Sequence, residues 1–109
     1  MTQSVKAGGE TGALRAIHNA LSVAGVVLFR NNVGVARFGT HVVRYGLGTG
    51  SADLVGLYRG RFVAVEVKSA IGRQSPAQRT WQETVERAGG LYVLARDVKT
   101  ALQAVVGAP

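Results

Sequence analysis

The sequence predicts one mixed α/β domain in which helices flank a mixed β-sheet, and three observations carry that expectation. A chain of 109 residues suits a single hydrophobic core. Helical and strand-like apolar periods alternate along it. Two adjoining runs, Ala52 to Tyr58 and Arg61 to Val67, are apolar at nearly every position, which calls for a sheet covered on both faces.

Met1 to Gly9 is polar and glycine-containing without periodicity, and reads as a flexible N-terminal arm ahead of a single domain over residues 10–109. Leu14, Ile17 and Leu21 then recur at helical spacing, with Gly25 at a C-terminal cap position, predicting a helix over about Glu10 to Ala24. Val26 to Arg30 reads as a short strand, Asn31, Asn32 and Gly34 as turn chemistry, and Val35 to Phe38 as a second, weaker strand followed by a loop that contains His41. Gly46, Gly48 and Gly50 form a glycine-rich loop leading into the apolar hairpin, whose turn is Arg59-Gly60. In the next helix Ser75 is the N-cap, Pro76 the first helical residue and Gln78 the capping-box partner, and Gly89-Gly90 ends it. A strand over Leu91 to Ala95 and a helix capped by Asp97, with Val98, Ala101, Leu102 and Val105 on one face, complete the order αββββαβα.

Thirteen Lys and Arg against six Asp and Glu leave a net charge of +7, which favours a polyanionic partner such as nucleic acid. Ten of the basic residues are arginine, the side chain suited to bidentate phosphate contacts. The absence of cysteine excludes disulfides, thiolate nucleophiles and Cys-based zinc sites. The longest apolar run, about Ala20 to Phe29, is short of the ~20 residues a membrane span needs, so a soluble, cytoplasmic protein is expected. No helix and no G-K-[S/T] follow the glycine-rich loop, which argues against a nucleotide cofactor.

The chemistry concentrates in the apolar hairpin. With the turn at Arg59-Gly60, Tyr58 faces Arg61, Leu57 faces Phe62, and the register carries Asp53 opposite Glu66. Opposed side chains have Cβ atoms about 4.5–5.5 Å apart, where two carboxylates repel unless a cation compensates. Lys68 lies two residues beyond Glu66 and therefore on the same face. Two carboxylates, main-chain oxygens and water make a hard-oxygen site for Mg²⁺ or Mn²⁺ completed by substrate phosphate, and the lysine can hold or activate a water or neutralise phosphate charge. The plainer alternative makes Asp53 the end of a turn and Glu66–Lys68 a surface ion pair. It leaves unexplained why the one acid of the second strand sits amid Phe62 to Val67 and faces another acid.

Gly50-Ser51-Ala52-Asp53-Leu54, Gly60-Arg61, Glu66-Val67-Lys68 and Ser75-Pro76-Ala77-Gln78 together resemble the VRR-NUC domain, the virus-type replication-repair branch of the PD-(D/E)XK nucleases. The resemblance runs over about Glu10 to Leu102, with Ala52 where the family usually has proline. It implies a restriction-endonuclease-like core in which Asp53, Glu66 and the Val67 carbonyl bind Mg²⁺ or Mn²⁺, Lys68 serves the attacking water and Gln78 stands near the site. Gln78 is equally well explained as a cap partner. The family's first-helix glutamate would be Glu10, whose alternative role is a favourable charge at a helix start. Arg30 and Asn32 resemble an Arg-x-Asn element that contacts the phosphodiester, which also reads as a plain turn, and Arg37, His41, Arg44, Arg73 and Arg79 are further phosphate candidates. His18 and Trp81 read as structural. The resemblance further implies a homodimer cutting branched DNA, junctions or flaps, in repair or replication within a bacterial or phage-infected cell. The competing expectations are a non-catalytic basic DNA-binding module on the same fold, and an enzyme acting on RNA or nucleotide fragments.

Overall fold

The computed structural model describes residues 10–109; the N-terminal arm expected over residues 1–9 lies outside the described residues. Helix α1 (Glu10–Val23) is followed by β1 (Val27–Arg30), β2 (Gly34–Phe38), β3 (His41–Tyr45), β4 (Leu54–Tyr58), β5 (Arg61–Val67), α2 (Pro76–Arg87), β6 (Leu91–Ala95) and α3 (Val98–Val106). The fold is a mixed α/β arrangement. A four-stranded sheet runs in the order β1-β4-β5-β6, with β2 and β3 forming a separate two-stranded sheet.

The hairpin β4–β5 has the register the turn imposes, from Tyr58↔Arg61 to Leu54↔Val65. Arg59 and Gly60 both take positive φ, 53° and 77°, the two-residue geometry whose twist matches that of the flanking strands. β1 joins β4 antiparallel, whereas β6 joins β5 parallel, the connection being α2. Alternation sorts side chains to two sides. Leu28, Leu54, Val63, Val65, Val67, Val93 and Ala95 pack with Leu14, Ile17 and Leu21 of α1 and Ala101 and Val105 of α3. Ala52, Ala64 and Tyr92 pack with Val85 of α2, flanked by Val55, Trp81 and Leu94. Each fully buried Leu, Ile or Val contributes about 1.5–3 kcal/mol, so the α1/α3 side is the main core.

The expected order is corrected in one element. His41–Tyr45, read as loop, is strand β3, and the observed order is αβββββαβα. Its partner is β2, from Gly34↔Tyr45 to Phe38↔His41, and the two pack chiefly against each other. The expectation that helices cover both faces of β4 and β5 holds for β5, buried from Val63 to Val67, and stops short at Leu57 of β4 and at the edge strand β1, where Leu57, Val27 and Phe29 remain about half exposed or more on the α2 side. Trp81 and His18 are structural as expected. Trp81 meets Phe62 and Tyr92 edge-on, and His18 donates from Nε2 to the Leu28 carbonyl at 3.1 Å.

Gly56 permits the close approach of β1, because a Cβ there would stand 1.7 Å from the Val27 carbonyl oxygen. Gly56→Ala should therefore lower stability by at least the ~1–3 kcal/mol typical of overpacking, read as a lower urea midpoint. An unchanged midpoint would contradict the β1–β4 pairing.

Candidate active site

The side of β5 that faces α2 carries Ala64, Glu66 and, one step beyond the strand, Lys68. Glu66 is buried, with 3% of its surface exposed. A carboxylate in so apolar a strand needs partners, and Gln78 and Lys68 are among them. Gln78 Nε2 donates to Glu66 Oε2 at 3.0 Å, and Lys68 Nζ lies 3.5 Å from the same oxygen. Lys68 is held in turn by its main chain, whose N–H continues the parallel ladder to the Ala95 carbonyl at 3.0 Å.

Gln78 closes the capping box and reaches Glu66 with the same side chain. Its Oε1 accepts from the Ser75 N–H at 2.8 Å and its own N–H donates to Ser75 Oγ at 3.2 Å, closing the capping box. The amide that remains reaches Glu66. Local helix-start chemistry thus aims α2 and its glutamine at the acidic strand.

Asp53 lies one residue before β4, half-buried, and its Oδ2 accepts from the Val67 N–H at 2.8 Å. The register that pairs Leu54 with Val65 brings Asp53 to the level of Glu66. The loop that delivers it is clamped by Asn31, which the sequence presents as an ordinary turn residue. Asn31 Nδ2 donates to Ser51 Oγ at 2.7 Å and to the Ala52 carbonyl at 2.8 Å, while its Oδ1 accepts from the Leu47 N–H at 3.1 Å. Its own N–H donates to the Asp53 carbonyl at 2.8 Å. Gly50, at φ +83°, passes so close to α2 that a Cβ would stand 2.4 Å from the Ala77 carbonyl oxygen.

Tyr92, on β6, completes the lining. Burial pushes its hydroxyl up to about 12, a hydrogen bond from Gln74 opposes this, and the negative charges of Glu66 and Asp53 raise it further. Gln74 Nε2 donates to Tyr92 Oη at 3.1 Å and to Gln82 Oε1 at 2.9 Å. Arg96 donates to the carbonyls of Ser69 and Gly72, fixing the turn just past Lys68. Neither Asn31 nor Arg96 carries a local signal for these tasks, since their partners are distant in sequence.

The structure brings together Asp53, Glu66, Lys68 and Gln78, with Val67 supplying main chain beside Asp53. The side chain of Glu10 lies outside what is described, although the residue opens α1. Arg30 and Asn32 are exposed at the end of β1, with Arg30 donating to Asn32 Oδ1 at 3.4 Å. Arg37 and Arg44 stand on the β2–β3 hairpin, Arg73 in the loop before α2 and Arg79 on α2, all exposed. His41 opens β3 rather than lying in a loop.

Among the described residues no three His, Cys, Asp or Glu side chains gather as a ready cation cage. The donor set fits a hard divalent cation of the kind that takes one or two carboxylates and finishes its shell with main-chain, water and phosphate oxygens. No family model matches the chain, and no curated protein is similar to it. No helix among the described residues is long and apolar enough to cross a membrane.

Because Tyr92 keeps its proton to about pH 12 when folded and to about 10 when unfolded, its contribution is complete below pH 10. It is lost as pH rises through the folded value, at a cost of about 1–2 kcal/mol after allowance for screening. Urea titrations between these pH values should show a steeper loss in the wild type than in Tyr92→Phe. Equal slopes would contradict the burial of the Tyr92 hydroxyl that chiefly raises it.

Proposed function

We propose that the chain is a metal-dependent phosphodiesterase cutting DNA, built on a restriction-endonuclease-like core of the VRR-NUC type. The observation that carries this reading is the convergence of Asp53, Glu66 and Lys68 on one side of the sheet. Lys68 Nζ lies 3.5 Å from Glu66 Oε2, and the Asp53 carboxylate accepts from the main chain of the adjoining Val67. A surface ion pair needs none of this burial. The net charge of +7 supports a polyanionic substrate.

Asp53 and Glu66 would hold Mg²⁺ or Mn²⁺ together with the Val67 carbonyl. Such an ion, when bound, supplies Lewis-acid stabilisation of charge on the phosphate. Gln78 orients the Glu66 carboxylate through Oε2. Lys68 positions the attacking water and donates toward the developing negative charge as a compact ammonium on a flexible stem. Asn31 keeps Asp53 in register by restraining the loop before it. The exposed Arg30, Asn32, Arg73 and Arg79 would contact phosphates flanking the scissile bond. A homodimer acting on junctions or flaps in a bacterial or phage-infected cell is the biological extension of this reading.

The test is cleavage of labelled linear, flap and four-way-junction DNA in Mg²⁺, Mn²⁺ or EDTA. Cutting is expected with metal only and should be lost in Glu66→Ala. Lys68→Ala should fall about 10²–10³-fold, the usual worth of one donor that stabilises developing charge, with binding retained. Cutting in EDTA, or full activity in Glu66→Ala, would overturn the assignment. Tight binding with no cutting under any metal would favour a non-catalytic binding module.

A further inference from the structure

The stretch from Thr11 to Ala52 contains no carboxylate, yet it holds Arg15, Arg30, Arg37 and Arg44. Two of these sit on the β2–β3 hairpin, the part of the chain least engaged with the rest. In its register Val35 pairs with Arg44 and Arg37 with Val42, so these four side chains share one face and the two arginines are diagonal neighbours. Diagonal positions lie about 7–8 Å apart. Two like charges at that spacing repel, and among the described residues neither guanidinium has a carboxylate within ion-pair distance. The opposite face carries Ala36, Phe38, Val43 and Tyr45.

Among the described residues nothing covers either face. Val35, Phe38, Val42, Val43 and Tyr45 are each 46–65% exposed, although a two-stranded hairpin alone is marginal in water and gains stability from a partner. The hairpin's base is also tied to the active site. Two residues separate Asn31 from Gly34, and the Asn31 N–H donates to the Asp53 carbonyl at 2.8 Å. The base therefore stands within about 13 Å of the Asp53 main chain, and five strand residues span roughly 17 Å from base to tip. A second copy of a chain with net charge +7 would add like charge to this surface. A polyanion removes the repulsion between the arginines.

We propose that the β2–β3 hairpin is an arm that grips duplex nucleic acid, its Arg37–Arg44 face taking phosphodiester oxygens on the backbone that runs out from the Asp53–Glu66 site. This rests on the proposed reading of nucleic acid as the partner, though not on cleavage. The arm contacts backbone rather than base edges, so it adds affinity and register without sequence preference.

The test uses the full chain in EDTA, with fluorescence anisotropy of a labelled duplex over a series of salt concentrations. Arg37→Gln/Arg44→Gln is compared with Arg15→Gln/Lys99→Gln, which removes the same charge from exposed positions on α1 and α3. Loss of two phosphate contacts should lower the salt slope by about 1.8, so that the affinity lost between about 50 and 200 mM salt shrinks about tenfold. The control pair should keep most of the wild-type slope. Thermal melts establish that both variants fold.

Equal effects in the two pairs would reduce the arm to net charge and overturn the proposal. So would a wild type that binds no duplex. Sedimentation velocity covers the remaining competitor: a dimer dissociated by Phe38→Ser/Val43→Ser, with duplex affinity indifferent to the arginine pair, would make the hairpin an interface between copies. Arm-dependent binding without metal-dependent cutting would remove the nuclease reading and leave the arm. Cutting with arm-independent affinity would do the reverse.

Discussion

The site is organised by one costly interaction, the burial of the Glu66 carboxylate within an apolar central strand. An ionised carboxylate taken from water loses several kcal/mol of solvation, and the fold answers with donors from different parts of the chain. Lys68 comes from one step past the end of the same strand, while Gln78 comes from the first turn of α2. Strand β5 must therefore end where it does, and α2 must begin where it does. The parallel ladder to β6 sets the first of these conditions, and the Ser75 capping box sets the second.

A second constraint ties the chain before the site to the same geometry. Asn31 satisfies main-chain and hydroxyl groups at Leu47, Ser51 and Ala52, and so turns a glycine-rich loop into a fixed approach to β4. Asp53 is delivered to the end of β5 against the Val67 N–H. The two carboxylates are thus held by independent supports, one from the β1 end and one from α2. Preorganisation of this kind lets charge be stabilised without rearrangement during a reaction. The hairpin β2–β3 begins just after the Asn31 clamp.

Much of this was legible in the sequence where the determining chemistry is local. The β4–β5 register follows from the Arg59-Gly60 turn, and the capping role of Gln78 follows from its place three residues after Ser75; its reach to Glu66 is set by the tertiary fold. Strand β3 was not legible, because His41 to Tyr45 becomes a strand through main-chain pairing with β2 rather than through burial of an apolar face. The clamp by Asn31 and the hold of Arg96 on the Ser69 and Gly72 carbonyls depend on segments brought together only by the tertiary fold. The open side of β1 and β4 was missed for a related reason. An apolar strand predicts that something should cover it, but the number of helices available on each side is a property of the whole topology.

Whether Asp53 and Glu66 form one divalent-cation site is read out by Mn²⁺ titration of the free protein, followed by electron paramagnetic resonance. A single site is expected in the wild type and should be lost in both Asp53→Asn and Glu66→Gln while each variant remains folded. Equal Mn²⁺ binding in the wild type and both variants, or no binding in any of them, would contradict it.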